Sequence, residues 1–267
     1  MSIVITKRCD GMRLRNCFYI GLFMMFFPVI LLAQTASHGG KGNKAHWSYD
    51  GQERPENWGS LSDDYHLCAK GENQSPVNIV DAAEHELDEL KMTYDDGASS
   101  VVNNGHTIQV NASGGSLMVA GKKYQLLQYH FHTPSEHKID SKSAPMEVHF
   151  VHKSEDGQLA VVGVMMREGR DSSGLDRVWR NIPRSEGKSV GVEGDGIMPS
   201  HLMPKNKEYF FYNGSLTTPP CSEGVRWFVL KDGIEVSASQ IDRFKQLFAK
   251  NSRPIQPVNE RHVRMMQ

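Results

Sequence analysis

Short apolar runs, each closed within a few residues by Gly, Asn, Asp, Pro or Ser, recur from His46 to the end of this 267-residue chain, and they dictate a sheet. A helix of ordinary length needs apolar residues at three- and four-residue intervals over ten or more positions, and such stretches are scarce here. Thr107-Ile108-Gln109-Val110, Ser116-Leu117-Met118-Val119 and residues 123–131, 144–152 and 159–166 are successive candidate strands, followed by 209–212 and 225–230. Glu155-Asp156-Gly157 reads as a hairpin turn, with Gly supplying the positive φ. Ser237 and Gln240 form a capping box ahead of Ile241, Phe244 and Phe248, which predicts a helix over 238–249 packed by one face on the sheet. A weaker helix is expected over 175–181, stopped by Pro183, and the glycine-rich stretch 184–196 reads as a surface loop. No internal repeat or Pro/Ser linker divides 46–267, so one mainly β (α+β) domain is expected.

The first 33 residues are different in kind. Lys7, Arg8, Arg13 and Arg15 precede an apolar run from Cys17 to Ala33 that ends in small and polar residues, the layout of a secretory signal cleaved near Ala33 or Ala36. The alternative, an uncleaved anchor, has to contend with a run of only 17 residues containing Gly21 and Pro28. Residues 34–45 are polar and glycine-rich, a flexible leader with too little apolar surface to order itself.

Export bears on charge and on cysteine chemistry. Removing four basic residues and Asp10 from 30 basic and 31 acidic leaves 26 against 30, a formal charge of −4. No Lys/Arg patch or basic-aromatic stripe is visible, which argues against a nucleic-acid partner. Nothing in the mature chain asks for membrane insertion, and a homodimer is left open. Of four cysteines, Cys9 and Cys17 leave with the signal. Cys68 and Cys221 then sit in an oxidising compartment, the periplasm or beyond it, as a bonded pair or as two separate buried thiols.

The chemistry lies in three of the twelve histidines. His130 and His132 flank Phe131 in a strand-like run, so they share a face while Phe131 points into the opposite layer. His149 follows 17 positions later in a second run and completes a three-nitrogen site if the two strands are neighbours. A strand histidine taken alone is ordinarily a hydrogen-bonded structural residue. Three together suit a catalytic zinc, whose fourth tetrahedral position stays open, whereas a structural zinc takes four protein ligands. Gln128 and Glu147, each two residues before a ligand candidate, are placed to hydrogen-bond a ligand ring or its neighbour.

Seven collinear blocks carry a resemblance: HWSY at 46–49, QSPVNI at 74–79, NNGH at 103–106, QYHFHTPSEH at 128–137, MEVHF at 146–150, GSLTTPPCSEGVRW at 214–227 and RPIQP at 253–257. On these blocks the chain resembles the alpha-class carbonic anhydrases, especially exported bacterial members. The resemblance implies a large, twisted, mostly antiparallel sheet of about ten strands with short peripheral helices. It implies one Zn²⁺ per chain on His130, His132 and His149, and reversible hydration of carbon dioxide to bicarbonate and a proton by zinc-bound hydroxide. Ester hydrolysis is expected at most as a side activity.

The same resemblance assigns Thr217 and Glu136 to orienting the hydroxide and His106 to shuttling the proton, with Tyr49, Asn104 and Gln109 ordering water beside it. Val151, Val161, Leu216, Thr217, Thr218, Val225 and Trp227 correspond to the pocket for carbon dioxide, and Cys68 with Cys221 to the disulfide of bacterial members. Two positions depart from the animal pattern. Thr133 stands where Trp is usual, a matter of packing, and Gln109 replaces Asn, which bears on the water chain. Some relatives have lost the metal and act as binding modules; those lack ligand histidines that this sequence keeps.

Overall fold

The computed structural model describes residues 45–94, 97–194 and 196–267. The expected signal 1–33 and, apart from Ala45, the expected leader 34–45 lie outside the described residues. From Ala45 onward the chain clusters as one compact unit.

Fifteen strands run through it: β1 (Asn78–Ile79), β2 (Ala83–His85), β3 (Lys91–Thr93), β4 (Ala98–Asn103), β5 (Ile108–Ala112), β6 (Ser116–Val119), β7 (Lys122–His132), β8 (Lys138–Ile139), β9 (Met146–Lys153), β10 (Leu159–Glu168), β11 (Lys188–Gly191), β12 (Tyr209–Ser215), β13 (Glu223–Leu230), β14 (Ile234–Val236) and β15 (Arg264–Met266). Thirteen of them form one sheet in the order β11-β4-β5-β7-β9-β10-β13-β12-β15-β2, with β6 against β7, β3 against β6 and β14 against β10; β1 and β8 pair separately. Most neighbours are antiparallel, but β10 runs parallel to β13 and β14, and β15 parallel to β2, so the sheet is mixed. The expected surface loop at 184–196 departs from expectation at Lys188–Gly191, which pairs with β4 and forms one edge of the sheet. Its exposed Lys188-Ser189-Val190-Gly191 has no apolar alternation to announce a strand.

The centre of the sheet is β7-β9-β10. In β9, Met146, Val148 and Phe150 face one apolar core while Glu147, His149 and Val151 face the other side. Strand β7 does the same with a correction halfway along it. Its pairing with β9 slips between Leu126 and Gln128, leaving Leu127 as a bulge residue that is 43% exposed. The extra residue switches parity, so that Tyr124 and Leu126 before it and Tyr129 and Phe131 after it all reach the same core. Each of those large side chains contributes roughly 1.5–3 kcal/mol on burial.

Two helices cover that core, α3 (Ser173–Arg180) and α4 (Ala238–Lys245); α1 (Trp58–Leu61) and α2 (Leu67–Lys70) are single turns elsewhere. Ser172 caps α3 through the Leu175 amide, and the Ser237/Gln240 capping box forms in full on α4. The helix stops short of 249, although a last turn carries on to Phe248, whose amide bonds the Phe244 carbonyl. Trp179 of α3 stacks on Phe244 of α4 and meets Phe131 of β7 edge-on at 4.9 Å, which clamps both helices on the strand that carries the histidines.

A third apolar cluster lies apart from the sheet cores. Trp58, Tyr65, Cys68 and Cys221 form it, with Trp47, Tyr49 and Leu61 packed against them. Cys68 and Cys221 are disulfide-bonded with Cα atoms 5.1 Å apart, which settles the cysteine alternatives in favour of the pair. Among the described residues no helix is long and apolar enough to cross a membrane.

Candidate metal centre

His130 and His149 are direct partners across the β7–β9 pairing, and His132 lies two residues along on the same face. One nitrogen from each converges to within 4.8 Å of the others. The remaining ring nitrogens identify which atoms these are. His130 Nδ1 donates to Gln128 Oε1 at 2.9 Å, His132 Nδ1 to the Asn251 carbonyl at 2.7 Å, and His149 Nε2 to Glu147 Oε1 at 2.8 Å. That leaves His130 Nε2, His132 Nε2 and His149 Nδ1 as lone-pair donors aimed at one point. His132 Nε2 is buried with no hydrogen-bond partner, a loss that a cation bound there removes. Burial, reinforced by the neighbouring rings, pushes His130 well below the ordinary histidine value, and burial also lowers His132, which favours the neutral, coordinating form. Burial pulls His149 the same way, but Glu147 outweighs it and holds the ring above its ordinary value.

Glu147 is the most heavily used acceptor in the site. Its Oε2 takes the amides of Glu136 and His137 at 2.8 and 2.9 Å, and its Oε1 takes both His149 and His137 Nδ1. Burial raises its pKa, yet His137 and His149 outweigh that and keep it ionised, well below the carboxylate range. His137 Nε2 then reaches the Tyr212 hydroxyl at 2.6 Å, which lies 2.8 Å from Ser75 Oγ, so a buried polar chain runs from the ligand back to the protein's far wall. Gly163 of β10, opposite His149, leaves the room: a Cβ there would sit 3.0 Å from Glu147 Oε1.

Glu136 is equally buried. Its Oε1 accepts the Arg253 amide at 2.8 Å, while Oε2 lies 3.6 Å from His132 Nε2 and 3.8 Å from His149 Nδ1 and has no hydrogen-bond partner among the described residues. Thr217 and Glu136, which the resemblance assigns together to orienting the hydroxide, form no direct hydrogen bond in this structure. Thr217 is buried on the loop after β12. The disulfide and the bonds Leu216 N to Ser222 O and Cys221 N to Thr218 O fix that loop. Val151, Val161, Val225 and Trp227 belong to one apolar cluster, with Leu216 packed on it. The Trp227 ring meets His149 edge-on at 4.9 Å, so this apolar wall adjoins the histidines directly. Thr218 is half-buried on the same loop.

His106 lies on the turn before β5, its ring stacked 3.7 Å from Trp47 at 11°. Asn104 Oδ1 accepts the amides of His106 and Thr107, so that oxygen is committed to the turn, as Gln109 Nε2 is to Asn111 at 2.7 Å. Tyr49 packs edge-on against Trp47 and Trp58, and burial together with the charge of Glu136 raises its pKa well above the usual phenol value. A cleft of about 590 Å³ opens here, lined among others by His46, Trp47, Asp64, Tyr65, His106 and Pro219.

Three residues that the sequence did not single out hold this arrangement together. Asn251 accepts from His132 Nδ1 and the Thr133 amide and donates to the carbonyls of His106 and Phe131, tying the His106 turn to β7. Arg253 donates through its side chain to Gln74, Ser75 and Cys68, and through its amide to Glu136, tying the disulfide region to the buried carboxylate. His137 links Glu147 to Tyr212. The blocks RPIQP and QYHFHTPSEH contained Arg253 and His137, but only the contacts assign them work; Asn251 precedes RPIQP in a stretch without strand or helix pattern.

A sequence profile of the family described as eukaryotic-type carbonic anhydrase matches residues 53–267. A carbonic anhydrase of Neisseria gonorrhoeae is 43% identical over 240 residues, 88% of this chain and 94% of its own length. One of Pectobacterium atrosepticum is 41% identical over 239 residues, covering 89% and 98%. Among solved structures, the alpha-carbonic anhydrase from Thermovibrio ammonificans in complex with the inhibitor sulfanilamide superposes with a TM-score of 0.80 at 44% identity, over 84% of this chain and 99% of that one.

Proposed function

The chain belongs to the eukaryotic-type carbonic anhydrase family, and we propose that it hydrates carbon dioxide reversibly to bicarbonate and a proton with one zinc ion held by His130, His132 and His149. The observation that carries this reading is the convergence of three ring nitrogens, two of them on buried rings, whose partner nitrogens are all engaged as donors. Neutral imidazoles leave a divalent cation its full charge. Bound there, zinc supplies Lewis acidity that brings the pKa of a coordinated water to about 7, the general value for carbonic anhydrases rather than one deduced from these residues.

The protein's own groups do the remaining work. Gln128, Asn251 and Glu147 fix the tautomer and aim of each ring. Glu136 Oε2 is a buried acceptor in need of a donor, and Thr217 on the loop after β12 is a buried hydroxyl able to be one. When the threonine gives its single proton to that carboxylate, its oxygen is left to accept from the nucleophile, which orients it toward the substrate. Val151, Val161, Leu216, Val225 and Trp227 offer carbon dioxide a non-polar resting place beside the histidines, supplying proximity rather than tight binding. His106, half-exposed and with its neutral form favoured by burial, takes up the released proton through water ordered by Tyr49, Asn104 and Gln109 and passes it to solvent.

The disulfide supports an exported enzyme, with residues 1–33 removed in transit to the periplasm or beyond, 34–45 as leader and 46–267 as catalytic domain. Elemental analysis and a stopped-flow pH-indicator assay on the mature chain test the central assignment. About one zinc per chain is expected, with activity lost on chelation and regained on adding zinc. Full hydration activity in metal-free protein, or in His130→Ala without zinc, refutes it.

A further inference from the structure

We propose that Glu186 is a positioning residue for the proton shuttle: its carboxylate, seated on the glycine that precedes His106, places a negative charge near the imidazole that favours its protonated form. The kinetic consequence rests on the shuttle reading above; the electrostatic coupling itself does not. A Cβ placed on Gly105 would lie 2.3 Å from Glu186 Oε1 and 2.7 Å from its carboxyl carbon, so the carboxylate occupies the space that the missing side chain leaves. Gly105 has φ +86, the conformation in which glycine is at ease, and the absence of a Cβ is what admits the carboxylate.

Both backbones of this contact are anchored. The amide of Gly187 donates to the Asn103 carbonyl at 2.8 Å, and the next residue, Lys188, opens edge strand β11 opposite Asn103 of β4. On the other side Asn103 and Asn104 cap the turn, and Asn251 holds the His106 carbonyl. Strand β11 thus has a use in the fold beyond extending the sheet, since it delivers Glu186 to the turn that carries His106.

The charged and titratable groups around His106 come from three elements: His46 from the N-terminal segment, Asp64 and Tyr65 from the short helical turn beneath the cleft, and Glu186 from the loop before β11. Trp47 covers a ring face, and the 219–222 side of the cleft offers Pro219, Pro220 and Ser222. Burial disfavours the imidazolium, and His46 adds to that; Glu186 opposes both. A shuttle held too low in pKa accepts a proton poorly near neutrality, so the carboxylate keeps His106 in a range where it can both accept and release.

The test is an NMR titration of the His106 ring in the zinc-loaded full mature chain, wild type against Glu186→Gln. At low salt the midpoint should fall by about 0.2–0.7 pH unit, the size of an exposed ion pair, and Glu186→Lys should move it further the same way. In 1 M salt, where screening acts within roughly 3 Å, the difference should shrink markedly. Turnover in dilute buffer should drop by up to about threefold in Glu186→Gln and return on adding imidazole. Equal midpoints for wild type and Glu186→Gln at low salt overturn the proposal. If His106→Ala leaves dilute-buffer turnover intact, the shuttle reading fails instead, while a shifted midpoint in Glu186→Gln still establishes the coupling.

Discussion

The floor and the rim of the site are built by different means. The floor is β7 and β9, where His130, His132 and His149 are set by strand pairing and each ring has a fixed hydrogen-bond partner. The rim gathers Trp47, Tyr49 and His106 from segments remote in sequence, and holds them with a disulfide, side-chain caps and two polar residues from the C-terminal stretch. A metal needs donors whose positions barely move, and a sheet centre supplies them. The proton exit proposed above needs solvent and a group that can change charge, and a half-exposed cleft of loops suits that proposal.

The division can be broken at several points. His132→Ala removes a floor ligand and should cost zinc together with three or more orders of magnitude in turnover, roughly 4 kcal/mol of barrier, measured by metal content and stopped-flow hydration. Replacing Cys68 and Cys221 by Ser should lower unfolding free energy by about 2–4 kcal/mol in a denaturant titration while zinc stays bound. Zinc lost at room temperature from that still-folded variant would show that floor and rim are one unit.

The opposite face of β9 gives a smaller, pH-dependent effect. His152 is buried against the Tyr94 hydroxyl, 2.7 Å away, and burial pushes it down to about 4. A folded-state value below the unfolded one means that the unfolded chain takes the proton first. The contribution is therefore intact above pH 6.5 and is lost as pH falls toward 4, by about 3 kcal/mol. Unfolding free energy followed against pH should show this slope, and His152→Gln should flatten it; an unchanged slope removes His152 as its source.

The rim's kinetic share should be the smallest. His106→Ala should slow turnover in dilute buffer by about tenfold, with small imidazole buffers restoring it. Because burial sets His106 below the ordinary 6.5, its ring should titrate below 6.5 in an NMR pH titration of the zinc-loaded chain. A midpoint at or above 6.5 contradicts that environment.

What could be read in the sequence follows the same division. Period-two alternation around His130 and His132 put two rings on one face because a strand's geometry is local. The capping box on α4 was legible for the same reason, since both of its members lie within one helical turn. The work of Asn251 and Arg253 was not legible, because it consists of hydrogen bonds to partners more than a hundred positions away. Edge strand β11 escaped because an exposed edge needs no apolar alternation. The bulge had a faint signal, the doublet Leu126-Leu127 in a run that otherwise alternates.

That doublet sets the chain's arithmetic. One surplus residue reconciles two halves of a strand that would otherwise disagree about which side is inside. Deleting Leu127 would advance the remainder by a half-repeat, so either Tyr124 and Leu126 leave the interior or Tyr129 and Phe131 trade sides with the imidazoles. Single-residue indels at 126–128 should thus be far more damaging than any substitution there, and the spacing between the two leucines and His130 specifies the histidine cluster as much as the histidines themselves do.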